Sequence, residues 1–165
     1  MNNGTIQANH PVVEILEKYA DTVFRLCLVY MRNKPDAEDI FQNVFLKLYK
    51  VGPDFNDEEH IKAWLLKVTA NECKNRLKSF WHKNMISLEE IVLPVQDKED
   101  REVIKMVLSL PVKYRNVLYL HYFEGYSIRE MSELLNLKEA TVKTHLKRGR
   151  ELLKKLLIQG GFTDE

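Results

Sequence analysis

The chain is short of everything a cross-linked or loop-rich fold needs: of its 165 residues only six are Gly, five Pro and two Cys. So few turn-formers leave little room for an all-β fold built on tight hairpins. Cys27 and Cys73 each sit inside a helical pattern, which fits buried free thiols, not a disulfide or a metal site, and a reducing compartment. Long apolar runs are missing too. The longest, Leu26 to Met31, is far too short to cross a bilayer, and the start MNNGTIQANH has no basic residues leading into an apolar segment. A cytoplasmic protein is expected. His10, His60, His82, His121 and His145 are scattered, no His/Cys/Asp group has metal spacing, and no phosphate loop or nucleophile motif occurs. Neither a catalytic residue, a metal nor a cofactor is therefore expected.

A net charge of only +1 hides a strong segregation of sign along the chain. Lys138, Lys143, Lys147, Arg148, Arg150, Lys154 and Lys155 face only Glu139 and Glu151 between positions 138 and 155, a local balance of +5. Between 36 and 59 the sign reverses: Asp36, Glu38, Asp39, Asp54, Asp57, Glu58 and Glu59 outnumber Lys47 and Lys50, a balance of −5. From 60 to 83 it turns again, with Lys62, Lys67, Lys74, Arg76, Lys78 and Lys83 against Glu72, or +5.

The basic C-terminal stretch lies inside a helix-turn-helix pattern. Ser127 and Glu130 have the S-x-x-E spacing of a capping box, so a helix is predicted to start at Ser127 with Ile128, Met131, Leu134 and Leu135 on its apolar face. Asn136 tolerates the left-handed turn that must follow. A second helix runs about twenty residues from Lys138, with Val142, Leu146, Leu153 and Leu156 or Leu157 inward and Thr141, Lys143, Thr144, Lys147 and Arg148 outward. A basic helix after so short a turn attracts phosphate and can present side chains to base edges, although a solvated Lys-rich face is the plainer alternative.

Upstream, helices are predicted at about Asp100 to Ser109 and from Pro111 to about Phe123, ending at Glu124-Gly125. The N-terminal half reads as three helices: about Val12 to Met31; Pro35 or Asp36 to about Tyr49, capped by Asp36 and ended by Gly52-Pro53; and about His60 to Trp81. On the third, Lys67, Asn71, Lys74, Asn75 and Lys78 share one polar, basic stripe. Such a stripe can follow a nucleic-acid backbone, and its Asn pair can hydrogen-bond a base. The expected organisation is all-α: a disordered N-terminus (1–10), a helical domain (11–82), a flexible linker (83–99) with a helical turn at Ser87 to Glu90, a helix-turn-helix domain (100–158) and a tail (159–165).

Three segments, in order, resemble one family. LPVKYRNVLYLHYFEGYSIREMSELLNLKEATVKTHLKRGRELLKKLL (110–157) resembles the promoter-reading domain of bacterial sigma factors of the extracytoplasmic function (ECF) group. DAEDIFQNVFLKLY (36–49) is similar to the helix with which that family grips RNA polymerase, and IKAWLLKVTANECKNRLKSFWHK (61–83) to its segment that melts the upstream edge of the transcription bubble. The resemblance implies an initiation factor whose partners are core RNA polymerase, promoter DNA and an anti-sigma protein.

By matching position, Asp36, Asp39, Gln42, Asn43, Phe45 and Tyr49 would serve polymerase, with Leu46 expected in the core. Lys67, Asn71, Lys74, Asn75, Lys78 and Trp81 would face the minus-ten element, with the loop 53–57 cradling a flipped base; Trp64 is expected in the core. Glu139, Thr141, Lys143, Thr144, His145, Lys147 and Arg148 would serve the minus-thirty-five element, Arg148 being the candidate for a bidentate guanine contact. His145 stands where the family usually has Arg, and Gly149 where it usually has Ala. A helix-turn-helix activator or repressor acting without polymerase is the alternative function, and a helical enzyme a distant third.

Overall fold

The structure, a computed structural model, describes residues 11–52, 57–80 and 98–160, and among them all regular structure is helical. The helices are α1 (Pro11–Met31), α2 (Lys34–Val51), α3 (Glu58–Phe80), α4 (Lys98–Ser109), α5 (Val112–Tyr122), α6 (Ile128–Leu135) and α7 (Glu139–Gln159). Each expected helix is present, with ends shifted by up to two residues. The expected disordered N-terminus, the turn at 87–90 and most of the linker lie outside the described residues.

Local chemistry explains the helix ends. Asn33, not Asp36, caps α2: Asn33 Oδ1 accepts the Asp36 backbone N–H at 2.9 Å, while Asn33 Nδ2 donates to the Asp36 carboxylate at 2.7 Å. Asp36 failed as the cap because a better-placed amide precedes it, and Arg32, at φ 59°, supplies the tight turn out of α1. α3 begins two residues earlier than expected because Asp57 Oδ1 accepts the His60 N–H at 2.7 Å. Ser127 and Glu130 form the reciprocal capping box of α6, and Asn136 closes that helix in the left-handed conformation (φ 54°, ψ 50°).

α1 packs on α2 and α3, burying Val23, Leu26, Cys27, Ile40, Val44, Leu48, Leu65, Leu66 and Cys73. α5, α6 and α7 bury Val117, Leu118, Leu120, Met131, Leu135, Val142 and Leu146. These two groups share one continuous apolar cluster, because α1 also lies against α5 and α3 against α6. Cys27 and Cys73 are buried and unbridged.

Candidate nucleic-acid interface

Three helix faces carry the residues singled out by sequence. On α2, Asp39, Gln42 and Tyr49 are exposed, Asp36 and Asn43 are half-buried, and Phe45 is buried against Phe41 at a ring separation of 4.9 Å. Leu46 corrects the expectation: it is 52% exposed, on the same side as Asp39, Gln42 and Tyr49, with Val51 also open at 65%. Spacing decides this, since positions 39, 42, 46 and 49 fall on one helix face while Ile40, Val44 and Leu48 take the opposite one. The result is an acidic-to-apolar strip along α2. Arg76 of α3 reaches across to Asp39, and to Asp36 at 3.4 Å, and the Asp39 bond holds the guanidinium above its ordinary pKa.

On α3, Lys67, Asn71, Asn75 and Lys78 are exposed in one row. Lys74 is drawn out of it: its Nζ donates to the Leu135 carbonyl, the last of α6, at 2.7 Å. Burial, and then the neighbouring Lys78, lower its pKa. Trp64 is half-buried and packs against the core, as expected, and together with His60, Lys67, Tyr126, Glu130 and Leu134 it lines an open cleft of about 370 Å³ between α3 and α6. Trp81 and residues 53–56 of the candidate base-cradling loop lie outside the described residues.

α7 is the most sharply two-faced element. Val142, Leu146 and Gly149 are buried, whereas Glu139, Lys143, Thr144, Lys147 and Arg148 are exposed and Thr141 is partly so. His145 turns inward from this surface, its ring edge-on to Tyr114 at 5.8 Å, and its buried Nδ1 has no protein partner among the described residues. Burial, and then Lys113 and Arg148, hold its pKa below the ordinary histidine value. Gly149 leaves no room for a side chain: a Cβ there would stand 3.3 Å from the Tyr114 Cβ. Among the described residues no group of three or more His, Cys, Asp or Glu side chains is placed to hold a metal ion, and no helix is long and apolar enough to cross a membrane.

Sequence reasoning missed Arg115, the buried guanidinium that joins α5 to α1. Its spacing in α5 looked like that of any surface basic residue, and only the docking of α1 buries it.

Comparison with known proteins finds two family models on these helices: "Sigma-70 region 2" matches residues 15–82 and "Sigma-70, region 4" matches residues 100–153. The ECF RNA polymerase sigma factor SigW of Bacillus subtilis is 28% identical over 163 residues, covering 87% of both chains. RNA polymerase sigma factor SigZ of the same species is 31% identical over 131 residues, covering 73% of this chain and 72% of its own. Among solved structures, the sigma factor RpoE in complex with the anti-sigma factor NepR from Bartonella quintana superposes with a TM-score of 0.70 at 18% identity, over 88% of this chain and 95% of that one. CnrH in complex with the cytosolic domain of CnrY gives 0.63, also at 18% identity, over 90% and 88%.

Proposed function

Since this chain belongs to the sigma-70 family of RNA polymerase sigma factors, in its ECF group, we propose that its three exposed faces divide the work of promoter selection. The protein is an alternative sigma factor that directs transcription initiation. It acts by binding energy alone: it selects and melts the template, and performs no chemical step itself. Its site of action is the cytoplasm, on the nucleoid when joined to polymerase.

The α2 strip of Asp39, Gln42, Leu46 and Tyr49 binds core RNA polymerase, with Asn43 and Asp36 at its edge; Phe45 holds the helix in place from beneath. The α3 row of Lys67, Asn71, Asn75 and Lys78, joined by Lys74, holds the minus-ten element. Splaying a base there costs a few kcal/mol, which contacts to the exposed base offset. The outer face of α7 enters the major groove at the minus-thirty-five element, where Lys143, Thr144, Lys147 and Arg148 read or hold it.

The observation that carries this reading is the partition of α7. Lys143, Lys147 and Arg148, the Lys and Arg side chains of α7 assigned to DNA, are exposed on one side, and the other side is closed by Val142, Leu146 and Gly149. A polymerase-independent activator would account for that helix alone, and would leave the region-two match and the exposed apolar strip of α2 without a role. The superposed sigma factor RpoE is held by the anti-sigma factor NepR, and the same class of partner is proposed here.

Core polymerase mixed with this protein and a promoter library should give defined start sites. DNA binding without polymerase and without transcripts would overturn the reading.

A further inference from the structure

Ion pairs tie α2 to α3 at two places along their seam. Toward the end of α2 the Lys47 ammonium bonds the Glu72 carboxylate, and in its first turns Asp36 and Asp39 share the Arg76 guanidinium. The second tie belongs to a longer network. Asn33, 8% exposed, donates from Nδ2 to Asp36 Oδ2 at 2.7 Å; Arg76 Nη1 stands 3.4 Å from Asp36 Oδ1, and Arg76 Nη2 donates to Asp39 Oδ2. The bonds thus run from a buried amide, through two half-buried groups, to a carboxylate whose side chain is 52% exposed.

Exposure rises in one direction along this network, toward the acid assigned to polymerase. Arg76 itself is turned away from DNA: with about 3.6 residues per turn it lies on the opposite side of α3 from Lys67 and Lys78. Its side chain serves α2.

We propose that Arg76 is a positioning residue for polymerase binding: it holds the Asp39 carboxylate in the orientation in which that acid meets a cationic group of core polymerase. This rests on the assignment of the α2 strip to polymerase. Asp36 and Asp39 stand three residues apart on one helix face, where like charges repel. The shared guanidinium offsets that repulsion, and two carboxylates against one guanidinium still leave the trio a negative charge for the partner. Fixing the carboxylate before the encounter removes part of the entropy cost of binding, as preorganised contacts do.

Titration of labelled core polymerase with the full chain tests this. Arg76→Met makes the seam one charge more negative, so attraction to a cationic partner alone predicts tighter binding, whereas positioning predicts binding weaker by about fivefold. Because Arg76 acts through Asp39, the same substitution should cost nothing further in an Asp39→Ala background, itself weaker than wild type. Glu72→Gln, which cuts the Lys47 tie on the same seam, should bind as wild type does. Tighter or equal binding in Arg76→Met overturns the proposal, and so does an equal loss with and without Asp39. A matching loss in Glu72→Gln overturns it as well, since support of the whole seam would then explain both. Where circular dichroism shows that Arg76→Met has lost helix, Arg76→Lys decides by the same two comparisons: it keeps the charge, cannot span two carboxylates, and should lose about twofold only where Asp39 is present. Failure of the functional reading looks different. Asp39→Ala would then bind polymerase as tightly as wild type, leaving Arg76 nothing to position.

Discussion

Gly149 of α7 and Leu118 of α5 approach so closely that a Cβ on Gly149 would stand 3.1 Å from the Leu118 Cδ1. The glycine is what lets the basic helix seat on the helix beneath it. Leu118 is buried, and the Tyr114 Cβ on the other side of the gap is fixed to its backbone, so neither neighbour can swing aside freely.

Gly149→Ala sets two effects against each other. Alanine gains about 1 kcal/mol of helix propensity, and overpacking costs about 1–3 kcal/mol. The crowding is expected to win, lowering stability by about 1 kcal/mol, with Gly149→Val worse. Urea unfolding should show a lower midpoint at unchanged slope; a midpoint that rises in Gly149→Ala would mean the two helices part easily.

Neighbouring residues on α2 should separate stability from partner binding. Phe45→Ala removes a buried ring and should cost about 3–5 kcal/mol of folding stability. Leu46→Ser, half open to solvent, should leave the melting temperature within a degree or two and weaken core-polymerase affinity by about 1–2 kcal/mol, as truncation of an interface side chain does. Titration of labelled core polymerase reads the second quantity. Equal polymerase affinity for Leu46→Ser and wild type would remove the α2 strip from the interface.

On α7 the basic residues should divide by what they touch. Arg148→Ala should lose about 1–3 kcal/mol at one base pair if its fork reads guanine. Lys143→Ala and Lys147→Ala should weaken all sequences alike and each reduce the salt slope of binding by about one. Competition between promoter variants across a salt series distinguishes the two. A uniform loss in Arg148→Ala would reassign it to phosphate.

The helices were legible because short-range signals specified them one at a time. Ser127 with Glu130 announces a start, Asn136 and Gly125 announce turns, and the 3.6-residue period places Val142 and Leu146 inward. What remained hidden depends on pairs far apart in sequence. Leu46 reads as core by residue type and is open only because Ile40, Val44 and Leu48 already fill the inner face of α2. Asp36 lost its role as cap to Asn33, one amide against one carboxylate three residues apart. Arg115 and Lys74 each look like surface bases, and only the docking of α1 on α5 and of α3 on α6 gives them their long-range carbonyl partners, Val29 and Tyr30 for the one and Leu135 for the other. No local pattern encodes that docking.

The inward turn of His145 makes the stability of the helix-turn-helix depend on pH. Its ring packs on Tyr114, Lys113 and Arg148 add like charge nearby, and burial disfavours the imidazolium, so the folded pKa lies below the unfolded one. Above the ordinary histidine value of about 6.5 the residue is neutral in both states and contributes no pH dependence. As the pH falls through that value the unfolded chain takes up a proton that the folded chain refuses, and stability is lost. Urea midpoints measured from pH 7.5 to 5.5 should therefore fall more steeply for wild type than for His145→Phe, which keeps an aromatic ring against Tyr114 and cannot titrate. Parallel profiles would show that the imidazole accepts its proton in place. In that case His145 would carry charge into α7 at low pH.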